Sequence, residues 1–165
     1  MLIAALNPCP CGYHGDPERA CTCSMGMIRR YRKRISGPLL DRIDINLEVP
    51  RVAYEKLENA TLGESSASIR VRVEAARARQ RARLEPVGLS CNADMGPAEI
   101  REFCVMDDDA RVLVRTAMRQ MQLSARAYHR ILKVGRTIAD LEGAEPLQAH
   151  HMAEALQYRP KLELM

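Results

Sequence analysis

Four of the six cysteines stand in two C-x-C pairs, Cys9 with Cys11 and Cys21 with Cys23. Zinc in structural sites is held tetrahedrally by four protein ligands, commonly thiolates. Two short pairs that close one loop can deliver four sulfurs to one centre without a large core around them. The spacing therefore predicts a structural zinc site, although C-x-x-C is the more usual spacing and His14 is an alternative ligand.

Disulfides are the competing interpretation of these cysteines, but a ring closed between two residues of a C-x-C pair has strained geometry. The apolar run of residues 1–6 is too short for a signal peptide, and no segment reaches the ~18 apolar residues of a membrane span. We therefore expect a cytoplasmic, reducing location without a membrane partner, where clustered cysteines more often bind metal. Cys91 and Cys104 are isolated, and we expect them to be buried or incidental.

The composition favours helices over a β-sandwich, because 47% of residues are hydrophobic while only 4% are aromatic. The net charge of +4 excludes little, but the basic residues are concentrated. Six arginines lie between Arg70 and Arg83, where a solvated helix face is the simplest explanation. A second group of basic residues surrounds Tyr31, whose ring is able to stack on bases, and this group is the better candidate for binding nucleic acid. That group is Arg29, Arg30, Arg32, Lys33 and Arg34.

Three single residues are candidates for contact with a nucleotide phosphate. Asn7 follows an apolar run, where it either starts a turn with Pro8 or positions water at the edge of a sheet. Arg42 either forms a surface ion pair or neutralises charge that develops during phosphoryl transfer in a neighbouring subunit. Arg126 lies in the first turn of a predicted helix, where a cation is unfavourable unless it turns into solvent or shares an anion with the free amides.

The chain divides into a short strand-bearing portion and a longer helical portion. Residues 2–6 and the alternating residues 43–49 predict two strands, too few for a stable sheet by themselves. We therefore expect further strands to precede Met1. The spacing of Ala127, Ile131, Val134, Ile138 and Leu141 gives the most regular helix. Helices are predicted at residues 24–35, 65–82, 97–103, 107–121, 124–143 and 147–158. In the last of these, we expect His150 and His151 to pack against the bundle or to face solvent.

Several long motifs together resemble the magnesium-chelatase-like AAA+ ATPases of the YifB/ComM group. The resemblance covers nearly the whole chain, which makes it far more specific than a lone short pattern. The matching segments are Ala5 to Tyr13, Cys21 to Ser24, Ile35 to Asp44, Leu123 to Tyr128, Ile131 to Val134, Thr137 to Leu141 and Glu154 to Arg159.

The resemblance implies a mainly α fold: a helical lid bundle of an AAA+ ATPase, preceded by a partial α/β core remnant of about two strands. In this division residues 1–50 end the core and include a Cys-rich insert at 8–24. Residues 51–64 are a linker, residues 65–158 form the lid, and residues 159–165 are a tail.

The resemblance also implies an activity: a ring, hexameric in this group, that uses ATP with Mg²⁺ to drive DNA branch migration in recombination and natural transformation. Asn7 corresponds to the sensor 1 asparagine, Arg42 to the arginine finger and Arg126 to the sensor 2 arginine. Asn7 and Arg126 would then contact the nucleotide in their own subunit.

The sequence departs from the family pattern in one respect, since it contains neither a Gly-rich phosphate loop nor an acidic strand end for magnesium. We therefore expect this stretch to be the C-terminal part of such a protein and to be inactive alone. Two other functions stay open. One is a zinc-stabilised nucleic-acid-binding module without ATPase activity, and the other is a motor subunit of the magnesium-chelatase type.

Overall fold

The computed structural model describes residues 2–35, 37–40, 42–50, 52, 58 and 63–159. Over these residues the protein is mainly helical, as the sequence predicts, and none of them forms a β-strand. An isolated parallel bridge joins Met106 to Leu147. The predicted linker at 51–64 and the predicted tail at 159–165 lie largely outside the described residues, so the domain division stays a prediction.

Except for the short helix α2, which was not predicted, the helices follow the predicted segments, with small differences at their ends. They are α1 Met25–Arg32, α2 Gly37–Leu40, α3 Ser66–Leu84, α4 Pro97–Phe103, α5 Asp108–Gln120, α6 Ala125–Glu142 and α7 Ala149–Gln157. Two 3-10 turns, Glu85–Val87 and Asn92–Asp94, lie between α3 and α4.

Short polar side chains determine where four of these helices begin. Ser24, Ser65, Asp107 and Ser124 each accept a hydrogen bond from the backbone N–H three residues on, at 3.3, 3.2, 2.7 and 3.1 Å. Each bond satisfies one of the amides that a helix N-terminus leaves without a partner. At the other end of α6, Gly143 adopts a left-handed φ of 83°, which favours glycine and stops the helix.

Helix α6 lies at the centre of the bundle and packs against α3, α4 and α7, while α5 packs against α7. The core between them is aliphatic and methionine-rich, as the scarcity of aromatic residues requires. Its buried members are Leu84, Met95, Ile100, Cys104, Ala110, Val114, Ile131, Leu132, Ala139, Leu147, Met152 and Ala155.

The approach of α7 to α6 depends on Gly135. A Cβ atom at this position would lie 2.6 Å from Sδ of Met152, closer than non-bonded atoms approach. Because Gly135 lacks that atom, Met152 fills the space beside the α6 backbone and is fully buried. A larger residue at this position would therefore force the Met152 side chain to move.

A buried carboxylate joins three parts of the bundle. Asp140, 1% exposed, accepts a bidentate pair of hydrogen bonds from Nη1 and Nη2 of Arg83, at 2.8 and 2.6 Å. It also accepts a bond of 3.1 Å from Nε of Arg136 and one of 2.9 Å from Nδ2 of Asn92. The carboxylate thus links α3, α6 and the 3-10 turn before α4.

Arg136 extends this network to the turn that follows α6. Its guanidinium is buried and donates hydrogen bonds to the backbone carbonyls of Ala144 and Glu145. A buried cation is stable only when it is paired and its donors are used, and here both conditions are met.

The two predicted strands are wrong for the residues that the structure describes. Leu2 and Ile3 are 75% and 82% exposed, and the segment 43–49 has no regular secondary structure. An alternating or apolar pattern specifies which face of a strand would be buried, but a strand forms only where another strand supplies its hydrogen bonds. The described residues supply no such partner.

Two predictions about exposed faces also require correction. Leu141, predicted to lie on the buried face of α6, is 47% exposed, because that face is centred on Leu132, Arg136 and Asp140 instead. Arg83, predicted to lie on a solvated face, has a side chain only 14% exposed through its pairing with Asp140. The buried face of α6 includes the polar residues Arg136 and Asp140, so the apolar spacing alone does not locate this face.

We predict that Asp140→Asn destabilises the protein by about 3 kcal/mol or more, because it leaves the buried guanidinium of Arg136 without a counter-charge. Urea denaturation followed by circular dichroism measures the free energy of unfolding. The control is Asp108→Asn, since Asp108 forms an exposed pair with Arg111 and should contribute less than about 1 kcal/mol. Equal effects of the two substitutions would contradict this role of Asp140.

Candidate functional site

The loop that carries the four clustered cysteines is shaped by local contacts. Gly12 donates its N–H to the Cys9 carbonyl at 3.0 Å and has a φ of 85°, which closes a tight turn. Asp16 accepts from the backbone N–H groups of Glu18 and Arg19 at 2.8 and 2.9 Å. These turns bring the second cysteine pair back to the first.

The four sulfur atoms converge at one point, as the spacing predicts. Sγ of Cys9 lies 3.3 Å from Sγ of Cys11 and 3.7 Å from that of Cys21, and the Cys11 and Cys21 sulfurs are 3.5 Å apart. Cys23 completes the group, with all ligand atoms within 4.8 Å of one another. In a tetrahedral zinc site with Zn–S bonds of about 2.3 Å, neighbouring sulfurs are separated by about 3.8 Å. The cysteines therefore fit a ZnS₄ site.

Backbone amides favour negative charge on these sulfurs. A hydrogen bond from the Tyr13 amide, aided by one from Thr22, lowers the pKa of Cys11 to about 5 despite desolvation. At Cys21 the amide of Cys23 favours the thiolate, but desolvation and the Cys11 and Cys9 sulfurs raise its pKa to about 12. The loop thus favours the thiolate at Cys9 and Cys11 and disfavours it at Cys21 and Cys23, and a bound cation would stabilise all four.

His14 was the alternative ligand, but its ring is not part of this group. Its backbone amide instead forms a hydrogen bond that lowers the pKa of Cys9 against the opposing effect of burial. The donor set is therefore four sulfurs. Four protein ligands leave no open position for a substrate, so a metal bound here would have a structural role.

A second cluster of possible ligands, formed by Glu142, His150 and His151, is better explained by hydrogen bonding. Nδ1 of the buried His151 accepts from the Gln148 amide at 3.0 Å, so its neutral ring carries the proton on Nε2. That Nε2 donates to Oε2 of Glu142 at 2.6 Å, and Nε2 of His150 is 2.8 Å from the same oxygen. Nε2 of His151 therefore has no lone pair for a metal.

The predicted nucleic-acid surface lies on α1, which begins two residues after the last cysteine of the cluster, and on the turn at Lys33 and Arg34 that follows it. Arg29, Arg30, Lys33 and Arg34 are exposed, whereas Arg32 is half-buried. Helix α1 buries Ile28 on its opposite side, 2% exposed. Four of the five predicted basic residues are thus accessible to a phosphate backbone.

The three predicted nucleotide-contacting residues all have exposed side chains. Asn7 lies beside the turn at Gly12, with its Cγ 4.0 Å from the position of a Cβ at that glycine. Arg42 follows α2, where its N–H donates to the Leu39 carbonyl at 3.0 Å. Arg126 lies in the first turn of α6. Contacts among the described residues do not join Asn7 to either arginine, and the roles of all three remain predictions.

A cavity of about 410 Å³ lies among α4, α5 and α6 and contains none of the predicted site residues. Its lining includes Arg101 and Arg111, with Tyr128 and His129 from the N-terminal half of α6. The cavity was not predicted, because it depends on how three separate helices pack together.

An ion pair between Asp44 and Arg130 was likewise not predicted. Asp44 lies two residues after Arg42, and Arg130 lies one helical turn after Arg126. The pair joins residues 86 positions apart, so no local pattern could have revealed it.

Comparison with known proteins matches both parts of the chain to the same family. The family described as "Magnesium chelatase, subunit ChlI C-terminal" matches residues 63–159, and "Magnesium chelatase, subunit ChlI" matches residues 1–57. Together they cover the cysteine loop and the helical bundle.

Individual relatives support the same assignment. The chain is 42% identical to "Competence protein ComM" of Haemophilus influenzae, an alignment covering 100% of this chain and 31% of the relative. It is 43% identical to the YifB protein of Salmonella typhimurium and 38% identical to that of Escherichia coli, with 96% of this chain and 30% of each relative covered. The chain thus spans about a third of the length of these relatives. Among the described residues, no helix has both the length and the apolar character of a membrane span.

We predict that the protein, purified with zinc, holds one zinc ion per chain and that Cys11→Ser abolishes tight binding, because a neutral hydroxyl replaces a thiol whose pKa is lowered to about 5. Metal analysis by mass spectrometry gives the stoichiometry, and Co²⁺ substitution gives the absorption bands of tetrahedral thiolate ligation. Cys91→Ser is the matched control and should leave one ion bound, since Cys91 lies outside the cluster. An equal zinc content in the two variants would contradict the assignment.

Proposed function

Because this chain belongs to the magnesium chelatase ChlI family, in its YifB/ComM branch, we propose that it is part of a ring-forming AAA+ ATPase that remodels DNA. The proposal concerns the full-length protein, with the phosphate loop and the magnesium ligands outside this sequence. The observation that carries it is the pair of exposed arginines, Arg42 and Arg126, on segments joined by the Asp44–Arg130 ion pair. A ring-forming ATPase requires such cations at its nucleotide sites.

Arg126 fits a sensor of bound nucleotide because of its place on α6. The first turn of this helix, which is fully described, contains no acidic residue. Free backbone amides and the helix dipole therefore make this end positive. An exposed arginine there adds a charge that only an anion stabilises, and a nucleotide phosphate is such an anion. Within the described residues the Arg126 side chain forms no ion pair that would serve instead.

Arg42 and Asn7 complete the proposed machinery. As an arginine finger, Arg42 would reach the nucleotide of a neighbouring subunit and stabilise charge on the transferring phosphoryl group. Asn7 would orient the attacking water through its side-chain amide. ATP with Mg²⁺ is the cofactor of this reaction, and a hexamer is the assembly in which one subunit's Arg42 meets the next subunit's site.

The zinc loop and α1 would serve the DNA-binding part of this activity. A structural metal would hold the loop that precedes α1, so the basic residues of α1 project from a rigid base. The name of the Haemophilus relative, a competence protein, supports a role in natural transformation. A cytoplasmic location follows from this role.

A second candidate function is a zinc-stabilised nucleic-acid-binding module that works without nucleotide. The direct connection of the cysteine loop to the basic helix α1 favours it. A third candidate is a motor subunit for metal insertion, favoured by the name of the matched family. ATP-dependent movement on branched DNA separates the first function from the second, and an effect of tetrapyrrole would indicate the third.

We predict that Arg42→Ala and Arg126→Ala each reduce kcat for ATP hydrolysis by the full-length protein at least about 100-fold, because both remove charge stabilisation at the phosphates. A coupled assay for ADP release measures turnover. Arg115→Ala, at an exposed arginine of α5, is the control and should leave kcat within about 2-fold. Normal turnover in both site variants would contradict the proposed ATPase roles.

For the DNA-binding role, replacing Arg29 and Arg30 together by alanine should weaken binding of the full-length protein to a DNA four-way junction. Each lost phosphate contact reduces the slope of log affinity against log salt by about 1. Fluorescence anisotropy at several salt concentrations gives this slope. The control replaces Arg115 and Arg119, two exposed arginines of α5, and should leave it unchanged. An unchanged slope in the α1 variant would exclude α1 from the DNA interface.

A further inference from the structure

The segment of residues 42–46 is fixed to the helical bundle although it lies far from it in sequence. The Ile43 carbonyl accepts from Nη1 of Arg159 at 3.2 Å, across 116 positions. The Asn46 amide donates to the Tyr158 carbonyl at 2.9 Å, and its Nδ2 lies 3.3 Å from the same oxygen. Between these contacts, the Asp44 carboxylate accepts from Nη1 of Arg130. The contacts define a strap, residues 42–46, across the ends of α6 and α7.

The ion pair at the centre of the strap brings two candidate arginines near each other. Side chains four residues apart on a helix share a face, with Cβ atoms about 5–6 Å apart, so Arg126 is the neighbour of Arg130. Arg42 precedes Asp44 by two residues, which span at most about 7 Å of chain. Each arginine is therefore a near neighbour of one member of the Asp44–Arg130 pair: Arg126 of Arg130 on the helix, and Arg42 of Asp44 along the strap.

The exposure of the pair argues against a role in stability alone. The Asp44 side chain is 50% exposed and that of Arg130 is 27% exposed, and solvent-exposed pairs contribute little to the free energy of unfolding. The bundle is held independently by the buried Asp140 network. Together with the backbone hydrogen bonds at Ile43 and Asn46, the pair holds the strap, and with it the Arg42 backbone, against the bundle.

We propose that Asp44 and Arg130 are positioning residues that hold Arg42 in a fixed relation to Arg126, so that the arginine finger is placed by the helical bundle. This inference rests on the proposed ATPase function and adds two residues to it. A shift of about 1 Å in a catalytic group can reduce turnover 100-fold, and the ion pair restrains such a shift. The pair itself touches no nucleotide.

The test is the steady-state kinetics of ATP hydrolysis by the full-length protein. Asp44→Asn and Arg130→Gln should each lower kcat about 10- to 100-fold while KM for ATP changes less than about 3-fold, since ground-state binding is left intact. The charge-reversed double variant, Asp44→Arg with Arg130→Asp, should recover most of the lost kcat. Melting temperatures of all variants should stay close to that of the native protein.

The Asp108–Arg111 pair provides the matched control, because it is also an exposed carboxylate–guanidinium pair on the bundle. Asp108→Asn should leave kcat unchanged.

If Arg42→Ala and Arg126→Ala abolish turnover while Asp44→Asn has native kcat, the positioning role is wrong and the proposed function stands. If kcat falls only in proportion to a loss of melting temperature, without recovery in the charge-reversed variant, the role is structural and the inference is overturned. Native turnover in both arginine variants overturns the proposed function and this inference together.

Discussion

The carboxylate of Asp140 is the constraint on which the helical bundle depends. A charge buried to this extent is tolerated only with full pairing, and four donor groups from Arg83, Arg136 and Asn92 provide it. Because these donors come from three separate segments, the network determines how α3 and the turn before α4 sit against α6. Helix α6 then extends about 20 Å from Asp140 to its N-terminus, where it presents Arg126 to solvent. The exposed cation is thus carried by an element whose orientation is fixed at its opposite end.

The cysteine loop uses a different source of stability. It buries few apolar side chains, among them Cys9 and, in the adjoining helix, Ile28. Its turns bring four sulfurs together and direct amides at them, but burial and neighbouring sulfurs raise the pKa of Cys21 and Cys23, so the loop alone does not stabilise four thiolates. A divalent metal would supply both the missing charge and the missing core. The protein therefore contains two polar centres, one closed by its own arginines and one suited to an external cation.

The sequence predicted what depends on neighbouring residues. Ser124 and Gly143 mark the ends of α6 because capping is a local interaction, and the cysteine cluster follows from spacing alone. The strands at 2–6 and 43–49 were predicted wrongly, because pairing requires a partner that a pattern does not specify. The Arg83–Asp140 pair joins residues 57 positions apart, so it too could not be predicted from a local pattern. Arg136 and Asp140, four residues apart between apolar positions, were the one available signal of a buried network.

The central claim is that the bundle and the strap at 42–46 form one rigid unit that carries both candidate arginines. Amide hydrogen exchange, measured residue by residue by NMR, tests this most directly. The Asn46 amide, bonded to the Tyr158 carbonyl, and the Tyr128 amide, bonded to the Ser124 carbonyl in the first turn of α6, report on the two parts. The account predicts that both exchange slowly and with similar protection, because they open in the same unit. Exchange of Asn46 at the rate of an unstructured chain, with Tyr128 protected, would contradict it.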